Sequence, residues 1–412
     1  MRLTGPSEDD LYMQNVSILD YYHSTLMNKV RRDLLTDVRI EKCAPCHYED
    51  SFDKPSGRAK QLLKSDIQIT NFNEDYLNSK HRALFEDDNG AVETTIHLVD
   101  LQINLSNTCN SACIMCLPQF SSRLNQDYKK LSKTIPLFWD MPDFKCWADD
   151  PILVKKFMGD LIELPSIEYI HLLGGETLYL KSFYSICESL KEHGLSDKIS
   201  IGTTTNLTIL PLRIEHLIDD FKSFHIGLSI ESVTSLNNYI RYPSDISDVL
   251  GVLSSFLSLR EAHPTLHLSL RITPNIFSIF YIDELIQYMC DHNITAESCN
   301  ILNFPSCLRM EFIPEHLKDQ TILKIKRVIE KNDLTRIKVV DARNPSKVRQ
   351  VISSVAHSYL DFLEAMELPS DSEKHRHDLV TFLNGFESIR GNSILDHAPE
   401  YKEFLTSYGY QK

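Results

Sequence analysis

Residues 101–124 read LQINLSNTCNSACIMCLPQFSSRL. The stretch His97–Leu105 has the apolar character of a strand, and three cysteines follow it in a loop: Cys109, Cys113 and Cys116, spaced C-x3-C-x2-C. Thiolates are soft ligands that suit zinc, Cu(I) and iron–sulfur clusters. Three of them within eight residues can wrap one polynuclear centre and leave one iron of a four-iron cluster without a protein ligand. A catalytic metal needs such an open position, whereas a structural zinc site is normally closed. The competing reading is a zinc knob completed by a histidine or a distant cysteine.

Downstream of this loop, strand-like and helix-like segments alternate. Strands are expected at Ile167–Leu173, Lys198–Thr205, Phe224–Ile230, Leu266–Thr273 and Ser298–Phe304. Helical patterns lie between them at Pro151–Leu164, Leu178–His193, Leu212–Phe221, Ile246–Glu261 and Ile282–His292. Alternation of this kind signals βαβ units and a parallel sheet. The expected fold is therefore α/β, a partial (β/α)6 TIM-like barrel, with its chemistry at the carboxyl ends of the strands. Three parts are expected: an N-terminal extension over residues 1–95, a core over 96–312 and a helical C-terminal region over 313–412. In the first, Val16–Leu35 has helical spacing; in the last, Glu315–Lys331, Pro345–Ala365 and Ser372–Phe386 do.

The 412 residues are 42% hydrophobic, enough to bury a sizeable core, and their formal net charge is −14. Proteins that grip polynucleotides through phosphates usually present a basic surface, so this balance argues against that partner and leaves free nucleotides open. No apolar run approaches the roughly 18–20 residues that span a bilayer. The N-terminal MRLTGPSEDDLYMQ lacks the apolar segment of a secretory signal. A soluble, cytoplasmic protein with no membrane partner is expected, and in that compartment clustered cysteines are metal or redox groups rather than disulfides.

The cysteine spacing and its place after a strand resemble the radical S-adenosylmethionine (SAM) superfamily. The resemblance continues along the chain. HLLGGETL carries Gly174, Gly175 and Glu176, like the family's GGE motif near the SAM amino group. TTTN, with Thr204, Thr205 and Asn206, resembles its polar third strand end. LSIESVTSLNNYIRYP resembles the fourth strand end and following helix, with Ser229, Glu231 and Arg241 at the matching positions. RITPN brings Asn275, either toward the ligand or into a simple Asx turn. Two departures stand out: Met115 where the family often has an aromatic residue, and Thr177 where proline usually follows GGE. The resemblance implies a [4Fe–4S] cluster on Cys109, Cys113 and Cys116. It also implies bound SAM and an electron donor such as flavodoxin or ferredoxin. The implied reaction forms a 5′-deoxyadenosyl radical that takes hydrogen from a small-molecule or peptide substrate. A nucleotide or a nucleic-acid base as substrate, or a zinc-binding scaffold with no reaction, are the other readings.

KCAPCHYEDSFDKPSGRAK near the N-terminus resembles a twitch-domain subgroup, as do Met115, Pro118, Ser121 and Ser122 and the closing FLNGFESIRGNSILDHAPEY. There, Cys43 and Cys46 would help hold an auxiliary iron–sulfur cluster, with Cys299 and Cys307 as distant candidates to complete it. Zinc held with His47, or a turn without metal, are the alternatives, because one C-x2-C fixes only half a site.

Overall fold

The computed structural model describes residues 17–35, 98–139, 146–164, 166–299, 301–336 and 348–411, together with Val38 and Ile40. Cys43 and Cys46 lie outside the described residues. The chain divides into two compact units, Met1–Leu101 with Trp147–Glu168, and Gln102–Cys146 with Tyr169–Lys412.

In the first unit, the helical spacing near the N-terminus resolves into two helices rather than one, α1 (Ile18–His23) and α2 (Thr25–Leu35). Ser24 breaks them. Its backbone is extended, its hydroxyl donates to the Tyr21 carbonyl at 2.7 Å and accepts from the Met27 amide at 3.3 Å. Such local hydroxyl bonding competes with helix continuation. A capping box of Ser17 and Asp20 starts α1, and the Ile18 amide donates to Asp160 at 2.9 Å. Asp160 belongs to α4 (Pro151–Ile162), which Asp150 caps and Pro151 opens.

The sheet has six strands in the order β1-β2-β3-β4-β5-β6 and is not closed. They are β1 (Asp100–Asn104), β2 (Tyr169–Leu173), β3 (Ser200–Thr205), β4 (Ser223–Ser229), β5 (Leu266–Ile272) and β6 (Thr295–Cys299). Every recorded register from β2 to β6 is parallel. This is the expected partial (β/α)6 architecture. β5 shows why: Leu266, Leu268, Leu270 and Ile272 are buried on one face, while His267, Ser269 and Arg271 alternate onto the other. The connecting helices are α5 (Lys181–Glu192), α6 (Leu212–Ile218), α7 (Leu236–Ile240), α8 (Ile246–Ala262) and α9 (Ile282–Asp291). A further helix, α3 (Ser122–Leu131), follows the cysteine loop directly.

The sixth strand corrects the expectation of Ser298–Phe304. It runs earlier, over Thr295–Cys299, and meets β5 across an irregularity between Leu270 and Ile272. The apolar Ile301 and Leu302 that suggested a strand are buried beyond its end. After β6 come α10 (Glu315–Lys331), α11 (Val348–Ala365), α12 (Ser372–Arg390) and α13 (Lys402–Ser407), the expected helical C-terminal region. α12 runs four residues past the expected end at Phe386 and stops at Gly391, which is left-handed at φ 72°.

Candidate cofactor site

The three cysteines sit in a loop that other elements hold by its backbone. Where β1 ends, the Leu105 amide donates to the Leu173 carbonyl at the end of β2, 2.7 Å. Farther on, the Ala112 amide donates to the Tyr242 carbonyl at 2.7 Å and the Ile114 amide to the Ile240 carbonyl at 2.9 Å. Ser121 does two things at once. Its hydroxyl donates to the Ser111 carbonyl at 2.6 Å and accepts from the Leu124 amide at 3.1 Å, capping α3. Arg390, the last residue of α12, donates to the Ala112 carbonyl at 2.7 Å and to Asp127 at 2.9 Å. Its guanidinium lies between the rings of Phe386 and Tyr242, 4.2 and 4.8 Å from their centroids. Cys109 and Cys113 therefore flank residues whose positions are fixed from three other parts of the chain.

The Gly-Gly-Glu turn presses against the same loop. Gly174 has φ 143° and Gly175 φ 38°. A Cβ on Gly174 would meet the Ser106 backbone at 2.6 Å, and one on Gly175 would meet the Thr108 carbonyl oxygen at 2.0 Å. Both positions thus require glycine for contact between two pieces of backbone, independently of any ligand. The Glu176 amide then donates to the Thr108 carbonyl at 2.9 Å. Its carboxylate is fully buried and accepts from the Asn206 amide at 2.6 Å and the Leu178 amide at 3.3 Å. Burial pushes this carboxyl up to about 7, opposed by those hydrogen bonds and one from Thr205. The Asn206 side chain in turn donates to Asn110 at 2.7 Å and Ser111 at 2.9 Å, and stands 4.0 Å from the Cys109 sulfur. Glu176 and Asn206 thereby lock the ends of β2 and β3 to the cysteine loop.

Ser229 ends β4 in register with Arg271. Two residues on, Glu231 accepts from Arg241 Nη2 at 2.7 Å and from the Thr273 amide at 2.8 Å. The pair is buried. Burial pushes the Glu231 carboxyl up, and the adjacent guanidinium pulls it back. Arg241 Nη1 reaches the Cys113 sulfur at 3.8 Å, while its buried Nε has no partner. Asn275 does form an Asx turn, its Oδ1 accepting from Phe277 and Ser278 amides at 3.0 and 3.2 Å, and its buried Nδ2 is left without a partner. Two buried donors without acceptors thus lie beyond the carboxyl ends of β4 and β5. Orphaned buried donors are rare in folded proteins and call for an acceptor-bearing occupant.

Burial pushes the thiols of Cys109 and Cys116 up to about 12, each raised further by its neighbouring thiols, and Cys113 is raised as well, against the lowering pull of Arg241 and Arg390. Thiolates here need a cationic occupant. Among the described residues no three His, Cys, Asp or Glu side chains converge as one metal ion requires. Zinc with sulfur at 2.3 Å in a tetrahedron would hold the sulfurs roughly 3.8 Å apart. A [4Fe–4S] cluster gives each cysteine its own iron and spreads them. Three thiols on one loop offer a ligand to each of three irons of a four-iron cluster and leave the fourth iron open.

Sequence reasoning gave Arg390 no role, although it stands in the quoted IRG of the closing segment. It also missed the polar face of the sheet. His171, Gly202, His225 and His267 form one register row across β2 to β5, and the rings of His225 and His267 stack at 4.7 Å. The alternation in LHLSLRI could have shown this, since barrel interiors normally carry branched apolar residues there. Cys307, a distant candidate for an auxiliary site, is buried in a short turn against α12.

Residues 103–259 match the model of the Radical SAM superfamily. Among solved structures, the chain resembles Streptococcus suis SuiB bound to the precursor peptide SuiA, at 15% identity, 70% of this chain, 58% of that chain and TM-score 0.38. It also resembles Streptococcus suis SuiB bound to S-adenosylmethionine (13%, 71% and 58%, TM-score 0.35) and native anSMEcpe with bound AdoMet (14%, 57% and 62%, TM-score 0.41). The chain spans less than two thirds of the length of each. Cys109, Cys113, Cys116, the Gly-Gly-Glu turn, Glu231 and Arg241 all fall within the residues that match the Radical SAM superfamily model.

Proposed function

We propose that the protein is a radical SAM enzyme acting on a small molecule or a peptide. The observation that carries this reading is the loop bearing three free thiols, Cys109, Cys113 and Cys116, beside the orphaned donors of Arg241 and Asn275. When bound, the cluster and SAM supply the electron transfer and the 5′-deoxyadenosyl radical that removes hydrogen from substrate. The chain's own residues hold and orient. Cys109, Cys113 and Cys116 ligate three irons. Arg241 Nε and Asn275 Nδ2 donate to acceptors on SAM, its carboxylate and ribose oxygens. Glu231 holds the guanidinium of Arg241 in place, and Glu176 and Asn206 fix the loop that carries Cys109.

The reading includes a core over 96–312 between an N-terminal extension and a helical C-terminal region, resembling twitch-domain relatives. Cys43 and Cys46 would serve an auxiliary cluster or zinc there. Electrons come from a carrier such as flavodoxin or ferredoxin.

Anaerobic reconstitution with iron and sulfide should load about four irons per chain at this site. Reduction in the presence of SAM should then release 5′-deoxyadenosine. A fully loaded, reduced sample that makes none refutes the proposal, and zinc uptake without iron refutes it at the first step.

A further inference from the structure

A cleft of about 360 Å³ opens beside the cysteine loop, between α3, Tyr242 and the end of α12. Cys109 is one of the residues that line it. Its charged lining is Arg123, Lys130 and Arg390 against the single carboxylate of Asp127. Asp127 is already committed to Arg390 at 2.9 Å, while Lys130 stands off at 4.0 Å with its side chain 63% exposed. Arg123 is exposed as well, its guanidinium donating to the Asn110 carbonyl at 3.0 Å and lying 5.7 Å from the Tyr242 ring centroid. In a chain of net charge −14, this cleft is locally cationic. It is so beside Cys109, the first cysteine of the loop. The Arg241, Glu231 and Asn275 cluster contributes no residue to its lining.

We propose that this cleft is the docking face for an acidic one-electron carrier protein. The inference rests on the radical SAM reading and adds the surface through which the electron enters. One electron leaves the carrier, which is oxidised by one unit. A cluster held by Cys109, Cys113 and Cys116 would be reduced by that one electron. Cations around the entry point steer an acidic partner and orient it, and steering of this kind raises association rates by 10- to 1,000-fold at low salt. The neighbouring repulsion from the rest of the acidic surface makes the local contrast a selector of orientation.

The test uses a purified flavodoxin as the acidic probe, in its oxidised form, against the full-length protein with and without its cluster. Binding is read by fluorescence of the flavin. Lys130→Glu combined with Gln126→Glu turns one positive and one neutral exposed position of α3 negative without touching a cysteine or its hydrogen bonds. Binding should weaken tenfold or more at low salt. Gln126→Lys should tighten it about threefold. Both differences should vanish near 0.5 M salt, where screening acts over roughly 4 Å. In the loaded protein, the rate of cluster reduction by flavodoxin hydroquinone should follow the same order, with dithionite still reducing the double variant. Binding that ignores both variants, or that survives high salt unchanged, overturns the docking face while leaving the function intact if dithionite and SAM yield 5′-deoxyadenosine. Failure to take up iron overturns both.

Discussion

Substituting Gly175 by alanine tests how the cofactor loop is built. The new methyl group would stand 2.0 Å from the Thr108 carbonyl oxygen and 2.4 Å from its carbon, at a backbone φ of 38°. Contacts under 3.0 Å are essentially never seen for real Cβ atoms, so one backbone must move by about 1 Å or more. The left-handed conformation costs an L-residue about 1–2 kcal/mol. Overpacking adds about 1–3 kcal/mol. Together the loss is about 2–5 kcal/mol, a large share of a typical domain stability of about 5–15 kcal/mol. The displaced group is the carbonyl that accepts the Glu176 amide, one residue before Cys109, so iron retention should fall with stability. Urea unfolding of the metal-free variant gives the first quantity, and iron per chain after anaerobic loading gives the second. Gly251→Ala is the control. It lies in α8 with nothing within 4 Å of the added carbon, and should gain about 0.5–1 kcal/mol. A Gly175→Ala protein within about 0.5 kcal/mol of the parent, with full iron, would refute the close-approach argument.

Glu231→Gln leaves Arg241 buried without its counter-charge and should cost about 3–5 kcal/mol in the metal-free protein, whereas Glu231→Leu with Arg241→Met should recover most of that loss. Additive single losses in a denaturant-based double-mutant cycle would show the pair is not coupled. Arg390→Ala removes the hydrogen bond to Ala112 and leaves Asp127 with only Lys130 at 4.0 Å, so iron per chain after gel filtration should drop more than for Arg390→Lys, which keeps the charge; equal retention in both variants counts against the clamp. His397 is held below its ordinary value of 6.5 by burial. The unfolded chain therefore takes up a proton more readily, so the stability His397 contributes is complete above about pH 6.5 and is lost as pH falls toward the depressed folded value. His397→Gln should flatten the decline in melting temperature between about pH 7 and pH 5, and a parallel decline in both proteins would contradict this assignment.

Most of the barrel was legible because its strands are short apolar runs separated by helical periods, a signal that depends on local chemistry alone. The sixth strand was misplaced for the same reason. Thr295–Cys299 is polar and is a strand because β5 offers it a partner, while the more apolar Ile301 and Leu302 are buried without pairing. The cysteine spacing located the site, and the Gly-Gly-Glu and Glu231–Arg241 positions assembled around it. Their partners could not be read in advance. Glu176 meets the loop through its backbone amide and Asn206 through its carboxamide, pairings across 68 to 96 positions that no local pattern displays. Arg390 reaches the loop from 278 residues away, a contact no local pattern encodes. Helix α3 was overlooked because it begins within the span that reads as cofactor motif.

That long reach also orders events during biosynthesis. A nascent chain emerges from its N-terminus, so all three cysteines leave the ribosome well before Arg390 does. Until that arginine arrives, the Ala112 carbonyl lacks its guanidinium and Asp127 lacks its counter-charge. The clasp on the cysteine loop thus forms only once Arg390 has been made, and a chain interrupted before it carries the three cysteines without that clasp.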